Sequence, residues 1–392
     1  MDKFNDLENT WFEKCFGFKE TGSYIKNGIE IKSNNTDDII LMNTKDKKTF
    51  SVGSFHTFNY EELESKIQKV PKNSKLTYTI LLNTNVYDLH LLAENRNAVF
   101  QAASQTNCLE MKYPHISPEK GITIYYTDKT QGPACALACP GGTYYRNYFE
   151  QGLFASNNQV NLFADADKEI QQWTKDMLSV GSEKAYKNQS DSFFNTRNGY
   201  AFVTEEKIEL LNGTFKLDKN DTKKTKLFKK FKVGVQFNVP VVYLKSIYEE
   251  PLHRVTQVYC SALPIGYQSN YGFVPAFKEK ENWDILEQLI LDNIYDLTFK
   301  SAIYNLKLNQ SSKRQKLFLT QVGGGAFKNN DEFIQNAIEK ALKAHKHYPL
   351  DVIMVYFEDN MKYQEFDNKQ MALYQNFYAA YLKTGNFSFF LN

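Results

Sequence analysis

Three consecutive glycines, Gly323, Gly324 and Gly325, end the apolar run Leu317–Val322. From Asp331 onward, Phe333, Ile334, Ala337, Ile338 and Ala341 recur at helical spacing. A strand that turns through glycines into a helix lets backbone N–H groups approach a ligand closely, beside the positive end of the helix dipole. That chemistry suits a phosphate or diphosphate, with Ala326 and Phe327 on the same turn; a turn made only for packing would read alike. A P-loop is excluded, since Lys328 follows Gly325 too soon and no Ser or Thr comes next. A dinucleotide-binding turn, with Glu358 as the ribose acid, fits poorly. Lys328 stands where its third glycine belongs, and only 35 of the 392 residues follow Phe357.

A second set of residues is acidic. Asp292, Tyr295 and Asp296 are three and four apart in a helical stretch whose stripe is Leu286, Leu289, Ile290, Ile294 and Leu297. Two carboxylates so placed can share a water, one keeping its proton because of the other's charge. The same spacing also describes an ordinary solvated helix face. Asp331 is a third acid, and equally a helix N-terminal residue that complements the dipole. A third set, Gln101, Ala102, Ala103, Ser104 and Asn107, puts small residues and amides after a strand, which suits a ribose or an adenine edge. Gln131-Gly132-Pro133-Ala134 is a further loop-to-helix turn, and Gly142–Phe149 offers aromatic faces for stacking.

Short apolar runs place these sets. Lys75–Leu82, Ala98–Ala103, Val239–Leu244, His253–Cys260, Leu317–Val322 and Val352–Phe357 predict strands. Helices are predicted around Pro133–Cys139, over Lys168–Leu178, over Trp283–Asn305 and from Asp331. Strand–helix alternation at both ends implies an α/β sheet covered on two faces. Residues 1–75 show little periodicity and read as an N-terminal extension. A domain then runs over 76–392, interrupted at about 150–235 by an insertion rich in Lys, Asn and Gln.

Composition narrows the function class. With 42% hydrophobic and 15% aromatic residues the chain can build a large core, and its 25 Tyr and 30 Phe argue against disorder. Basic and acidic residues nearly balance, 47 against 45, so nothing global points to nucleic acid or an anionic membrane. The basic run Lys216–Lys232 reads as a solvated loop or ribbon before it reads as a polyanion patch. Five scattered cysteines make no disulfide framework, and Cys135 and Cys139 share one helix face. No His, Cys or carboxylate set has metal-ligand spacing, and His345-Lys-His347 reads as a polar helix end. No apolar leader or run of ~18 apolar residues is seen, and a cytoplasmic protein is expected.

Gln101-Ala-Ala-Ser104, Thr130-Gln-Gly-Pro-Ala134, Tyr145-Arg-Asn-Tyr-Phe149 and Val322-Gly-Gly-Gly-Ala-Phe327 together resemble the divergent macrodomain-type ADP-ribosyl hydrolases, over roughly 75–150 and 240–360. The resemblance implies a macrodomain-like mixed sheet flanked by helices, with ADP-ribose in a cleft at the strand ends. It implies that Gln101–Ser104 lies beside the distal ribose, where ordinary macrodomains carry an Asn-Ala-Ala-Asn pattern. It implies that Val322–Phe327 wraps the diphosphate and that Asp292 and Asp296 serve catalysis in a Leu-Asp-x-x-Tyr-Glu-x-Thr-like helix, with Asp in place of Glu at 296. The implied activity is release of ADP-ribose from modified protein side chains, arginine first, in a family that includes action on ADP-ribosylated ubiquitin. A non-catalytic ADP-ribose or nucleotide-binding module is the alternative. ADP-ribose or an ADP-ribosylated protein is the expected partner, with no metal or other cofactor; the oligomeric state is not readable.

Overall fold

Seven short strands share one sheet: β1 (Ser54–Phe58), β2 (Thr77–Leu81), β3 (Val99–Ala103), β4 (Val233–Val241), β5 (His253–Cys260), β6 (Gln315–Leu319) and β7 (Leu350–Val355). The computed structural model describes residues 9–21, 28–35, 38–72, 74–150, 160–179, 192–243, 251–268, 283–309 and 313–356. Phe357, Glu358 and Leu244, which enter the expectations above, lie outside them. The strand order is β1-β4-β5-β3-β6-β7-β2. Strands β5, β3, β6, β7 and β2 run parallel, while β4 is antiparallel to both β5 and β1, so the sheet is mixed. Central β3 is buried without alternation, and Val99, Phe100, Gln101 and Ala102 are fully buried. That is the pattern of a parallel strand covered on both faces.

Helices α1 (Tyr60–Ile67), α2 (Val86–Leu91), α3 (Gln131–Ala138), α4 (Pro140–Tyr145), α5 (Asp284–Leu308) and α6 (Asp331–His345) supply the cover. The alternation along β3 separates the layers. Phe100 stacks on His90 of α2, with ring centroids 3.7 Å apart. Its neighbour Gln101 points to the other face, where Nε2 donates to Thr298 Oγ1 of α5 at 3.0 Å. On that second face α5 packs against α6 and α1. The Asn330 side chain accepts from the Glu332 amide and starts α6.

Several elements differ from the sequence expectation. The sheet begins inside the segment read as an N-terminal extension, because Ser54–Phe58 forms its edge strand. Exposed His56 and a single strand partner weaken the alternation that would have revealed it. Ile29–Asn35, Asp38–Asn43 and Thr49–Ser51 form a separate three-stranded sheet. Gly142–Phe149 does not present aromatic faces to a ligand. Tyr144 and Tyr148 are buried, and Tyr144 packs on Phe12, Phe16 and Phe18 from the N-terminal segment. The basic run holds a helix, Asp221–Phe228, and Lys226 and Lys232 from it pair with Glu169 and Asp165.

Candidate functional site

Parallel strands β3, β5 and β6 end at the same edge, and the chain leaving each must turn away there. A cleft of about 380 Å³ opens at this edge. Its lining includes Ala103 and Ser104 after β3, Gln131 and Gly132 at the start of α3, and Gly323, Gly325, Ala326 and Phe327 after β6. Three segments separated widely in sequence therefore meet around one space. A second cavity of about 420 Å³, bounded by His56, Lys66, Arg254 and Tyr304 among others, lies at the opposite strand ends and contains none of the expected residues.

The glycine turn is held from several sides. Gly323 sits at φ +87°, the left-handed region, and a Cβ there would come within 2.8 Å of the Ala262 Cβ and Asn329 Cγ. The Asn329 amide donates to the Gly323 carbonyl at 2.9 Å, and Asn329 Nδ2 donates to the Leu263 carbonyl at 2.7 Å. Beneath the turn, the buried Tyr295 hydroxyl donates to the Thr320 carbonyl at 2.7 Å and accepts from the Val322 amide at 3.0 Å. Among the described residues, the Gly325 and Ala326 amides make no hydrogen bond and remain available as donors. Phe327 completes an aromatic wall with Tyr200 and Tyr267, at centroid distances of 5.4 and 6.0 Å. Neither tyrosine was expected from the sequence; Asn198-Gly199-Tyr200 reads as a turn, and nothing around Tyr267 marks it.

The opposite wall depends on Gln131. Its Oε1 accepts from the Ala103 amide at 2.9 Å and its Nε2 donates to the Gln101 carbonyl at 2.7 Å, so the side chain serves as one more strand residue beside β3. Gly132 lets the helix start touch that strand: a Cβ would lie 2.1 Å from the Ala103 carbonyl oxygen and 3.0 Å from Glu110 Cγ. Gln101 and Ala102 are fully buried and do not line the cleft. Gln101 is a strut, with Oε1 accepting from the Thr320 amide at 3.2 Å. Asn107 is buried in the adjoining turn, where its Oδ1 accepts from the Leu109 amide at 3.2 Å, and Gly324 faces away from the lining.

The three aspartates also lie outside the lining. Asp292 pairs with Lys340 of α6 at 2.7 Å and accepts from Gln288. Burial raises its pKa against the pull of Lys340. Asp296 meets Lys300 at 2.9 Å and His345 at 2.8 Å. Burial would raise its pKa, but hydrogen bonding and charge from His345 and Lys300 together bring it below the ordinary value. Asp331 is the first residue of α6. Helix α5 thus turns its acids toward α6, and its Tyr295 and Thr298 toward the cleft floor. His345, expected at a polar helix end, is buried against Asp296.

The acids that do line the cleft are Glu110 and Asp128. Glu110 is 3% exposed, and its Oε2 has no hydrogen-bond partner. Burial pushes its pKa up to about 7, with Arg146 and Tyr125 pulling the other way. The Arg146 Nη2–Glu110 Oε1 separation, 3.5 Å, is too long to offset desolvation. Arg146 is itself stacked on Tyr259, 3.8 Å from the ring centroid, and donates from Nε to the Cys108 carbonyl at 2.9 Å. Gln321 Nε2, at the glycine side, is also buried without a partner. Leu109-Glu110-Met111 has no periodicity or spacing that flags an acid; only its position after the Gln101–Asn107 segment pointed near it. Among the described residues, no group of three or more His, Cys, Asp or Glu could hold a metal ion, and no helix is long and apolar enough to cross a membrane.

No family model and no curated protein matches this chain. Solved structures do align with it. Poly(ADP-ribose) glycohydrolase from Deinococcus radiodurans in complex with ADP-ribose gives a TM-score of 0.35 at 11% identity, over 79% of this chain and 89% of that one. The same protein in apo form gives 0.35 at 12%, over 79% and 87%. Poly(ADP-ribose) glycohydrolase from Thermomonospora curvata, bound to the inhibitor ADP-HPD, gives 0.33 at 9%, over 86% and 90%.

Proposed function

We propose that the cleft binds ADP-ribose and hydrolyses the glycosidic bond between its distal ribose and a protein side chain. One observation carries the reading: the glycine turn, the Ala103–Ser104 strand end and the Gln131–Gly132 helix start border a single cleft of about 380 Å³. Free amides at Gly325 and Ala326 suit the diphosphate, and Lys112 at the rim adds a positive charge. The rings of Tyr200, Tyr267 and Phe327 suit a flat or ribosyl face. Buried Glu110 Oε2 and Gln321 Nε2 lack partners, as groups awaiting a polar ligand do.

Holding both ends of ADP-ribose fixes the anomeric carbon against attacking water, and such positioning is a large part of the rate gain in a site of this kind. Asp292 and Asp296 contribute through α5 and its support of the floor, rather than as groups that meet the ligand. The sequence resemblance makes arginine-linked ADP-ribose, on ubiquitin among other proteins, the first substrate to try. Calorimetry with ADP-ribose, alongside release of free ADP-ribose from arginine-, serine- and acid-linked substrates, tests the proposal. Binding with no release from any linkage leaves a binding module; no binding at all removes the reading.

A further inference from the structure

Glu110 combines features that a merely structural ion pair does not need. It borders the cleft, yet its carboxyl group is almost wholly shielded from solvent. One oxygen faces Arg146; the other makes no hydrogen bond, although the Tyr125 hydroxyl stands close enough to lower the carboxyl's pKa. Gly132 packs directly against it: a Cβ there would lie 2.1 Å from the Ala103 carbonyl oxygen and 3.0 Å from Glu110 Cγ. A carboxyl group so placed is easier to keep protonated near neutrality than an exposed one. The groups around it are Arg146, Tyr125 whose hydroxyl accepts from the Glu110 amide, Tyr259 on β5, Cys135 on α3 and Cys108. Arg146 supplies the one positive charge among them, and it is shared with the Cys108 carbonyl and the Tyr259 ring.

We propose that Glu110 is the general acid of the cleft, giving the proton on Oε2 to the atom that leaves the anomeric carbon. The assignment rests on the ADP-ribose hydrolase reading and deepens it. On a serine-linked substrate, as the bond from the anomeric carbon to the side-chain oxygen breaks, that oxygen takes the Glu110 proton and departs as the neutral hydroxyl. Water oxygen forms the new bond to the anomeric carbon, and the proton it sheds returns to the Glu110 carboxylate. No redox partner or metal is required for the balance.

Leaving-group chemistry gives the test. A serine-linked ADP-ribose departs as an alkoxide and needs a proton, whereas an acid-linked ester departs as a stable carboxylate and does not. Glu110→Gln should bind ADP-ribose within about threefold of wild type. It should release ADP-ribose from the serine-linked substrate ~10²–10⁴ times more slowly, and from the ester less than about tenfold more slowly. Equal losses on both substrates, or none, overturn the assignment while the hydrolase reading stands. A wild-type protein that releases nothing overturns both. Should Glu110→Gln fail to fold, the wild-type pH profile decides: serine-linked release should fall as pH rises past about 7 while ester release stays level. Parallel profiles would refute the role.

Discussion

Tyr295→Phe removes one oxygen from the floor of the cleft and should be felt in the glycine turn above it. The hydroxyl is fully buried, donates to the Thr320 carbonyl at 2.7 Å and accepts from the Val322 amide at 3.0 Å. Phenylalanine keeps the ring and the packing, so the loss falls on the hydroxyl's interactions, these two hydrogen bonds among them. Leaving a buried donor or acceptor unmet costs roughly 1–3 kcal/mol, against a net worth of about 1 kcal/mol for a bond exchanged with water. The Val322 amide also lies 3.0 Å from the Thr320 carbonyl, so the two orphaned groups retain each other in a tight turn. That partial rescue puts the expected cost at about 1–2 kcal/mol rather than the sum of two full penalties. Denaturant unfolding should show a lower midpoint with an unchanged slope, and amide exchange should speed at Val322 and its neighbours before it does in β3. ADP-ribose affinity should fall with the turn's order. Unchanged stability together with unchanged exchange at Val322 would refute the claim that this hydroxyl anchors the turn.

The glycines differ in what they demand. Gly323→Ala puts a Cβ at positive φ and within 2.8 Å of two neighbours, so a loss of about 2 kcal/mol and of ADP-ribose binding is expected by melting and calorimetry. Gly325→Ala meets nothing within 4 Å and should stay within about 0.5 kcal/mol of wild type. Asp296→Asn breaks the contacts to Lys300 and His345, while Lys300 keeps Glu64 at 2.9 Å. A loss of about 2 kcal/mol, below the roughly 3–5 for a fully isolated charge, is expected with ADP-ribose affinity intact; lost affinity at unchanged stability would return Asp296 to the site. Folding raises the Glu110 pKa from 4.5 to about 7, so within that window the folded chain holds a proton that the unfolded chain has released. Its contribution to stability therefore falls as pH rises from 4.5 to 7. His90, lowered to about 3 chiefly by burial, contributes oppositely, its share rising with pH up to 6.5. Glu110→Gln should remove the falling limb and leave the rising one, as melting temperatures across that range would record.

Strands and long helices were legible where one physical signal dominated. His253–Cys260 and the helix from Asp331 appear with the expected starts because β-branched runs and helical spacing are uncontested there. Of the segments expected at the cleft, Ala103, Ser104, Gln131, Gly132, Gly323, Gly325, Ala326 and Phe327 border it while Gln101, Ala102, Asn107 and Gly324 do not, because strand alternation and turn geometry decide which way each residue faces. The aspartates of α5 show what spacing omits. Helical periodicity puts Asp292 and Asp296 on one face but says nothing about which neighbour that face meets, and Lys340 and His345 lie far along the chain. Glu110 was hidden for the converse reason: its environment is assembled by Arg146, Tyr125 and Gly132, each from a different segment. A carboxyl group's proton affinity belongs to its surroundings, and no local pattern encodes them.

The central position of β3 bears on the order in which the molecule can be made. Leu317 of β6 pairs with Val99 of β3 although the two are roughly 200 residues apart, and β5 on the other side is also remote. While the chain is synthesised, β3 emerges long before either neighbour exists, as an apolar strand with both edges open. Such edges invite association with other chains. The nascent protein must therefore shelter Val99–Ala103 until residues beyond Leu319 have been added. A fragment ending before Gln315 would have the Gln101–Ser104 segment without the strand that gives it a shape.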